Sequence, residues 1–188
     1  TLPVHAGDFT ETLDHVEAFV TGETTTVVSD RRLATVLFTD IVRSTERAAE
    51  LGDRKWTDLL AESEVISDRQ VRRFGGTSIA TTGDGHLATF DIPAQAIEAA
   101  RQLLHELSTL GVEIRVGIHT GEISVVGDNI AGIGVHIASR VLGHAPDGGI
   151  AVSSTVRELT VGSSVQYDEL GRYPLKGVPG EWRLYEVV

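Results

Sequence analysis

Ile79-Ala80-Thr81-Thr82-Gly83-Asp84-Gly85-His86-Leu87-Ala88-Thr89-Phe90 is two strand-like runs around a Gly-Asp-Gly turn. Glycine on either side of the aspartate lets the backbone reverse where a Cβ would be strained. The Asp84 carboxylate is thereby held at a rigid hairpin tip. Upstream, Leu33-Ala34-Thr35-Val36-Leu37-Phe38-Thr39-Asp40-Ile41-Val42-Arg43-Ser44-Thr45 reads as a buried strand over Leu33–Thr39 that ends at Asp40 and breaks into a polar loop. Two aspartates at adjacent strand ends, beside a loop of free backbone N–H groups, suit a divalent ion bound to phosphate.

Periodicity organises the rest of the chain around this pair. Trp56, Leu59, Leu60, Val65, Ile66 and Val71 fall near helical spacing, so Arg54–Phe74 is expected to be a helix stopped by Gly75-Gly76. Pro93 starts a second helix, with Ala96, Ile97, Ala100, Leu103, Leu104 and Leu107 on one face as far as Leu110. Val112–Ile118 alternates as a strand, Gly121 is expected to turn the chain, and Glu122–Val126 to be its partner. Ala131–Leu142 reads as a helix and Ile150–Ser153 as a strand. Ser154–Leu159 reads as a short helix, and Val165–Tyr167, Gly171–Leu175 and Trp182–Val187 as late strands. The core order is β-α-β-β-α-β followed by extra strands, an α+β fold of ferredoxin-like type with its helices on one face of the sheet. The other face is expected to be covered by a second subunit.

Composition narrows the function. With 41% hydrophobic residues the 188-residue chain buries a real core, and with only 5% aromatics that core is aliphatic. A formal charge of −11 argues against a nucleic-acid partner, which needs a basic footprint, but not against a nucleotide. The chain has no cysteine, so thiolate metal sites and disulfides are excluded, and a cytoplasmic location is expected. No apolar run reaches the ~20 residues of a membrane span, so no membrane insertion is expected. Residues 1–32 read as an appendage with a short amphipathic helix over Glu11–Val20, and residues 33–188 as the main domain. His5 near Asp8 lacks a nucleophile elbow and reads as a surface histidine.

Five segments in register resemble the class III nucleotidyl cyclase catalytic domain: Phe38–Thr45, Gly83-Asp84-Gly85, Arg115–Gly121, Val135–Arg140 and Leu175-Lys176-Gly177. The appendage resembles the tail of an α/β-hydrolase domain, as found ahead of some bacterial cyclases. The resemblance implies an adenylyl cyclase making 3′,5′-cyclic AMP and pyrophosphate from ATP. It implies two divalent metals, Mg²⁺ or Mn²⁺, on Asp40, Asp84 and the Ile41 carbonyl. Val42, Arg43 and Ser44 would offer amides to phosphate, Arg115 and Lys176 would grip the triphosphate, and Arg140 would stabilise charge on the α-phosphate. A head-to-tail homodimer is implied, with the metal aspartates and the base-reading residues of each site on different subunits.

Three positions depart from the family pattern. His136 stands where an Asn usually orients the ribose. Ala80 stands four residues before Asp84, where adenylyl cyclases usually carry a Lys that reads adenine. Asn129 stands where its partner Asp is usual. Guanine-reading members carry Glu and Cys at those two base positions, and this chain has neither. The alternatives are therefore mixed ATP/GTP preference, or a catalytically degenerate nucleotide-binding and dimerisation module.

Overall fold

Residues 30–188 are described by a computed structural model; the expected helix Glu11–Val20, His5 and Asp8 lie outside the described residues. The elements in chain order are β1 (Asp30–Ile41), α1 (Ser44–Leu51), α2 (Asp53–Arg73), β2 (Thr77–Thr82), β3 (Gly85–Phe90), α3 (Pro93–Thr109), β4 (Ile114–Val126), β5 (Asn129–Ala131), α4 (Ile133–Leu142), β6 (Ile150–Ser153), α5 (Ser154–Leu159), β7 (Tyr167–Pro174) and β8 (Glu181–Val187). They form one sheet of order β2-β3-β1-β4-β6-β8-β7, with β5 paired to β4. The first four strands of that order, with α2 and α3 between them in the chain, are the expected βαββαβ unit. Only β4–β6 is parallel among its pairings.

β1 explains the two-layered core. Ala34–Thr39 is buried throughout because both faces of the strand are covered. Leu37 and Ile41 pack with Val71, Ile97, Leu103 and Leu107 of α2 and α3. Ala34, Val36 and Phe38 point the other way and pack with Val135, Ala138 and Leu142 of α4. The second face of the sheet, expected to await a subunit, is thus partly covered by the chain's own α4.

The structure corrects three local expectations. Gly121 does not turn the chain: β4 runs unbroken for 13 residues, because β1 pairs with it from Asp30↔Val125 to Ile41↔Ile114. Gly117 and Gly121 instead mark close approach. A Cβ on Gly117 would sit 2.3 Å from the Leu142 backbone nitrogen and one on Gly134 2.7 Å from the Glu122 carbonyl oxygen, so α4 rests directly on the strand, while a Cβ on Gly121 would meet the His119 Nε2 at 2.7 Å. Second, the polar loop after Asp40 is short, because Ser44–Leu51 is a helix with no fully buried residue. Its sequence holds good helix formers but is short and mostly polar. Third, the late strands before Pro174 are one strand, β7, with an irregularity between Glu169 and Gly171.

His119 lies inside this core at 3% exposure, its Nδ1 2.7 Å from the Ser153 hydroxyl and its ring edge-on to Trp182. Burial lowers its pKa to about 4. The unfolded chain therefore takes up this proton first, so the stability it contributes is full above pH 6.5 and is lost as pH falls towards 4. Between pH 7.5 and 4.5 the loss is expected to be about 2–3 kcal/mol. Urea unfolding of wild type and His119→Gln at both pH values checks this, since the variant lacks that part of the acid sensitivity.

Candidate active site

The β1–β4 register sets Asp40 directly across from Arg115. The Arg115 Nη2 donates to Asp40 Oδ2 at 2.6 Å, and Arg115 Nε lies 4.0 Å from Asp147 Oδ1. Burial pushes the Asp40 carboxyl above the usual carboxylate range; the Arg115 hydrogen bond pulls it down, and the negative charge of Asp84 pushes it up again. Asp84 stands with Gly83 in the two-residue link between β2 and β3, and Gly83 adopts φ 76°, where a side chain would be strained. The two aspartates are thus close enough to repel, a situation that a bound cation relieves.

Ile41 ends β1 and is buried, its carbonyl at the strand terminus. The Val42 N–H is already donated to the Glu113 carbonyl at 2.9 Å, so Val42 offers no amide to a phosphate, contrary to the sequence reading. The free amides are narrowed to Arg43 and Ser44 at the start of α1. Arg43 holds φ 53°, ψ 41°, alone among the described non-glycine residues in positive φ, and no side chain caps the helix.

Arg140 lies in the last turn of α4, with its Nε donating to the Lys176 carbonyl at 3.3 Å. A cleft of about 360 Å³ joins Asp40, Arg115, Arg140 and Lys176. Asp84 lines a neighbouring hollow of about 230 Å³ with Thr39, Ile41 and His86. His136, one helical turn before Arg140, is half-buried and does not line the cleft. Ala80 sits at the β2 irregularity opposite Leu87, and Asn129 is exposed in β5 opposite Val126. β5 lies against β2, so these two positions are on neighbouring strands, away from the cleft.

Sequence reasoning missed two residues here. Asp147 was not singled out in the sequence. His144 lines the cleft with its ring tilted on Tyr173 at a centroid distance of 4.2 Å. Neither carried a periodic or motif signal.

Among the described residues, no three His, Asp or Glu side chains form a ready-made metal cage. Two carboxylates and a carbonyl instead match a hard cation that keeps water and substrate phosphate as its remaining ligands. In that respect the donor set fits Mg²⁺ or Mn²⁺.

The family model for the Adenylate and Guanylate cyclase catalytic domain matches residues 27–188. An adenylate cyclase of Streptomyces coelicolor is 30% identical over 131 residues, 69% of this chain. The chain spans 34% of that relative's length and 27% of another curated relative's. The crystal structure of the adenylyl cyclase CyaB from P. aeruginosa superposes with a TM-score of 0.79 at 25% identity, covering 85% of this chain and 95% of that one. An adenylate/guanylate cyclase/hydrolase structure from Silicibacter pomeroyi gives 0.74 at 26% identity, covering 85% and 98%.

Proposed function

This chain belongs to the adenylate and guanylate cyclase catalytic domain family, and on that premise we propose that it converts ATP to 3′,5′-cyclic AMP and pyrophosphate. The observation that carries the reading is the pairing of Asp40 with Arg115 at the end of the central strand, with Asp84 beside them. In the reaction the ribose 3′-oxygen loses its proton and bonds to the α-phosphorus, while the bond from that phosphorus to the pyrophosphate oxygen breaks. Divalent ions on Asp40, Asp84 and the Ile41 carbonyl would polarise the 3′-hydroxyl and neutralise the phosphates. The Arg43 and Ser44 amides, Arg115 and Lys176 bind the triphosphate. Arg140 stabilises the charge that grows on the α-phosphate, and His136 orients the ribose. The domain works in the cytoplasm, where its substrate is; no helix among the described residues is long and apolar enough to cross a membrane.

A head-to-tail homodimer supports two such sites, since one chain carries both the metal aspartates and the α4 residues. Asp40→Ala and Arg140→Ala are each expected to be inactive. Mixed equally, random exchange puts one intact site in half of the dimers, so about a quarter of wild-type activity returns. Because Arg140 also lines the cleft of its own chain's Asp40, mixtures that exchange subunits and stay inactive would place the whole site within one chain.

Base choice rests on Ala80 and Asn129. An amide offers both a carbonyl and an NH₂, so Asn129 accepts from adenine or donates to guanine, and Ala80 does neither. Sites that bond a base firmly reject the wrong one by large factors. ATP and GTP assayed side by side with Mn²⁺ are therefore expected to differ by less than about tenfold in kcat/KM. Ala80→Lys with Asn129→Asp is expected to raise ATP turnover selectively, and Ala80→Lys alone less so. A wild-type domain with strong ATP preference, unchanged by the double substitution, shows that the base is read elsewhere. No product from either nucleotide would favour the second reading, a degenerate nucleotide-binding module, which Ala80, Asn129 and His136 favour.

A further inference from the structure

The sheet forks at its active end. Pairing of β1 with β3 runs from Thr35↔Phe90 to Phe38↔Leu87 and goes no further. Beyond that point the end of β1 stays with β4, through Asp40↔Arg115 and Ile41↔Ile114. The end of β3 stays with β2, through Thr81↔His86 and Thr82↔Gly85. Asp40 therefore rides on one branch and Asp84 on the other, with the small hollow lined by Thr39, Ile41, Asp84 and His86 between them.

One hydrogen bond spans the branches at the crotch. The backbone N–H of His86 donates to the Thr39 hydroxyl at 3.0 Å, where an unbroken ladder would use a main-chain carbonyl. Thr39 is 4% exposed and His86 likewise 4%, so the bond is shielded from bulk solvent. His86 is fixed from the far side as well, its Nε2 lying 3.1 Å from the Ser78 hydroxyl of β2. Thr39 is the neighbour of Asp40, and His86 stands two residues after Asp84.

We propose that the Thr39 hydroxyl is a positioning group that sets the gap between Asp40 and Asp84, and so tunes the affinity of the pair for a divalent cation. The Thr39 oxygen leaves Cα in a different direction from the main-chain carbonyl, so this bond fixes the spacing of the branches at the crotch, and a hydrophobic side chain of the same shape would let them move. The inference rests on the reading of Asp40 and Asp84 as metal ligands.

Mn²⁺ titrated alone onto the purified chain, with the free ion counted by electron paramagnetic resonance, tests it. Thr39→Val keeps volume and branching but removes the acceptor, and is expected to weaken Mn²⁺ binding about tenfold, the worth of one buried hydrogen bond. Thr39→Ser restores the oxygen and is expected to bind Mn²⁺ like wild type, which a purely steric role does not predict. Ser78→Ala, which loosens His86 without touching β1, is expected to weaken binding roughly threefold and carries the test if Thr39→Val fails to fold. Asp40→Asn separates the two levels. If it loses Mn²⁺ while Thr39→Val, or Ser78→Ala in its place, binds like wild type, the positioning role is overturned and the metal reading stands. If Asp40→Asn itself binds like wild type, the metal reading falls and the inference with it.

Discussion

Asp84→Ala is expected to leave the chain folded and to abolish the proposed cyclic nucleotide formation. No ion pair among the described residues involves Asp84, and it stands half-buried at a hairpin tip whose turn is set by Gly83. Its removal therefore costs little stability. For turnover the position is central, because its carboxylate supplies half of the side-chain charge facing the proposed cations. Losing that charge is expected to raise the barrier by about 4 kcal/mol or more, a thousandfold in rate. Asp84→Asn separates charge from volume and is expected to be nearly as slow. Product measured by chromatography from ATP and Mn²⁺, beside circular dichroism of the same preparations, decides it. An Asp84→Ala chain that cyclises at the wild-type rate would remove Asp84 from the site.

Gly117→Ala is expected to act from the opposite side of the sheet. The added methyl would meet the Leu142 nitrogen at 2.3 Å and its Cα at 2.4 Å, both backbone, so no rotamer change relieves the clash. Helix α4 must lift from β4. The cost is about 1–3 kcal/mol of stability, as for other overpacked cores. The larger effect is expected in kcat, since Arg140 lies two residues before Leu142 and moves with the helix. A displacement of about 1 Å at such a group lowers turnover roughly a hundredfold. Gly111→Ala is the control. Gly111 has φ 70° with nothing near its absent Cβ, so it should lose about 1 kcal/mol of stability through backbone strain and keep its turnover. If Gly117→Ala is destabilised yet fully active, α4 does not place Arg140 for catalysis.

These two glycine contexts show where the sequence was legible and where it was not. Gly83-Asp84-Gly85 was readable because the turn is local and the strands on either side bracket it. Gly121 was misread as a turn because a glycine that frees φ and a glycine that admits a neighbouring backbone look alike in one dimension. What distinguishes them is α4, which arrives from later in the chain. The helices α2 and α3 declared themselves by period because each buries one face. α1 buries none fully and is only eight residues long, too short a stretch to stand out. Asp40, Asp84, Arg115, Arg140 and Lys176 were each identifiable by motif. Their pairing was not, since Asp40 meets Arg115 across 75 residues and Arg140 meets Lys176 across 36. Strand register and helix docking decide such meetings, and both depend on the whole sheet. Val42 was assigned an open amide because the sequence does not show that Glu113 reaches it first.

The Asp40–Arg115 bond pairs the two residues with each other. Under the proposed function, a cation arriving at Asp40 would have to displace a guanidinium held at 2.6 Å, and a triphosphate arriving at Arg115 would have to displace a carboxylate. Whichever ligand binds first releases the residue needed by the second, so each strengthens the other's binding by the same factor. On the proposed roles of these two residues the bond would make the domain a coincidence detector: ion alone or nucleotide alone would meet a closed pair, and only their joint arrival would be rewarded in full.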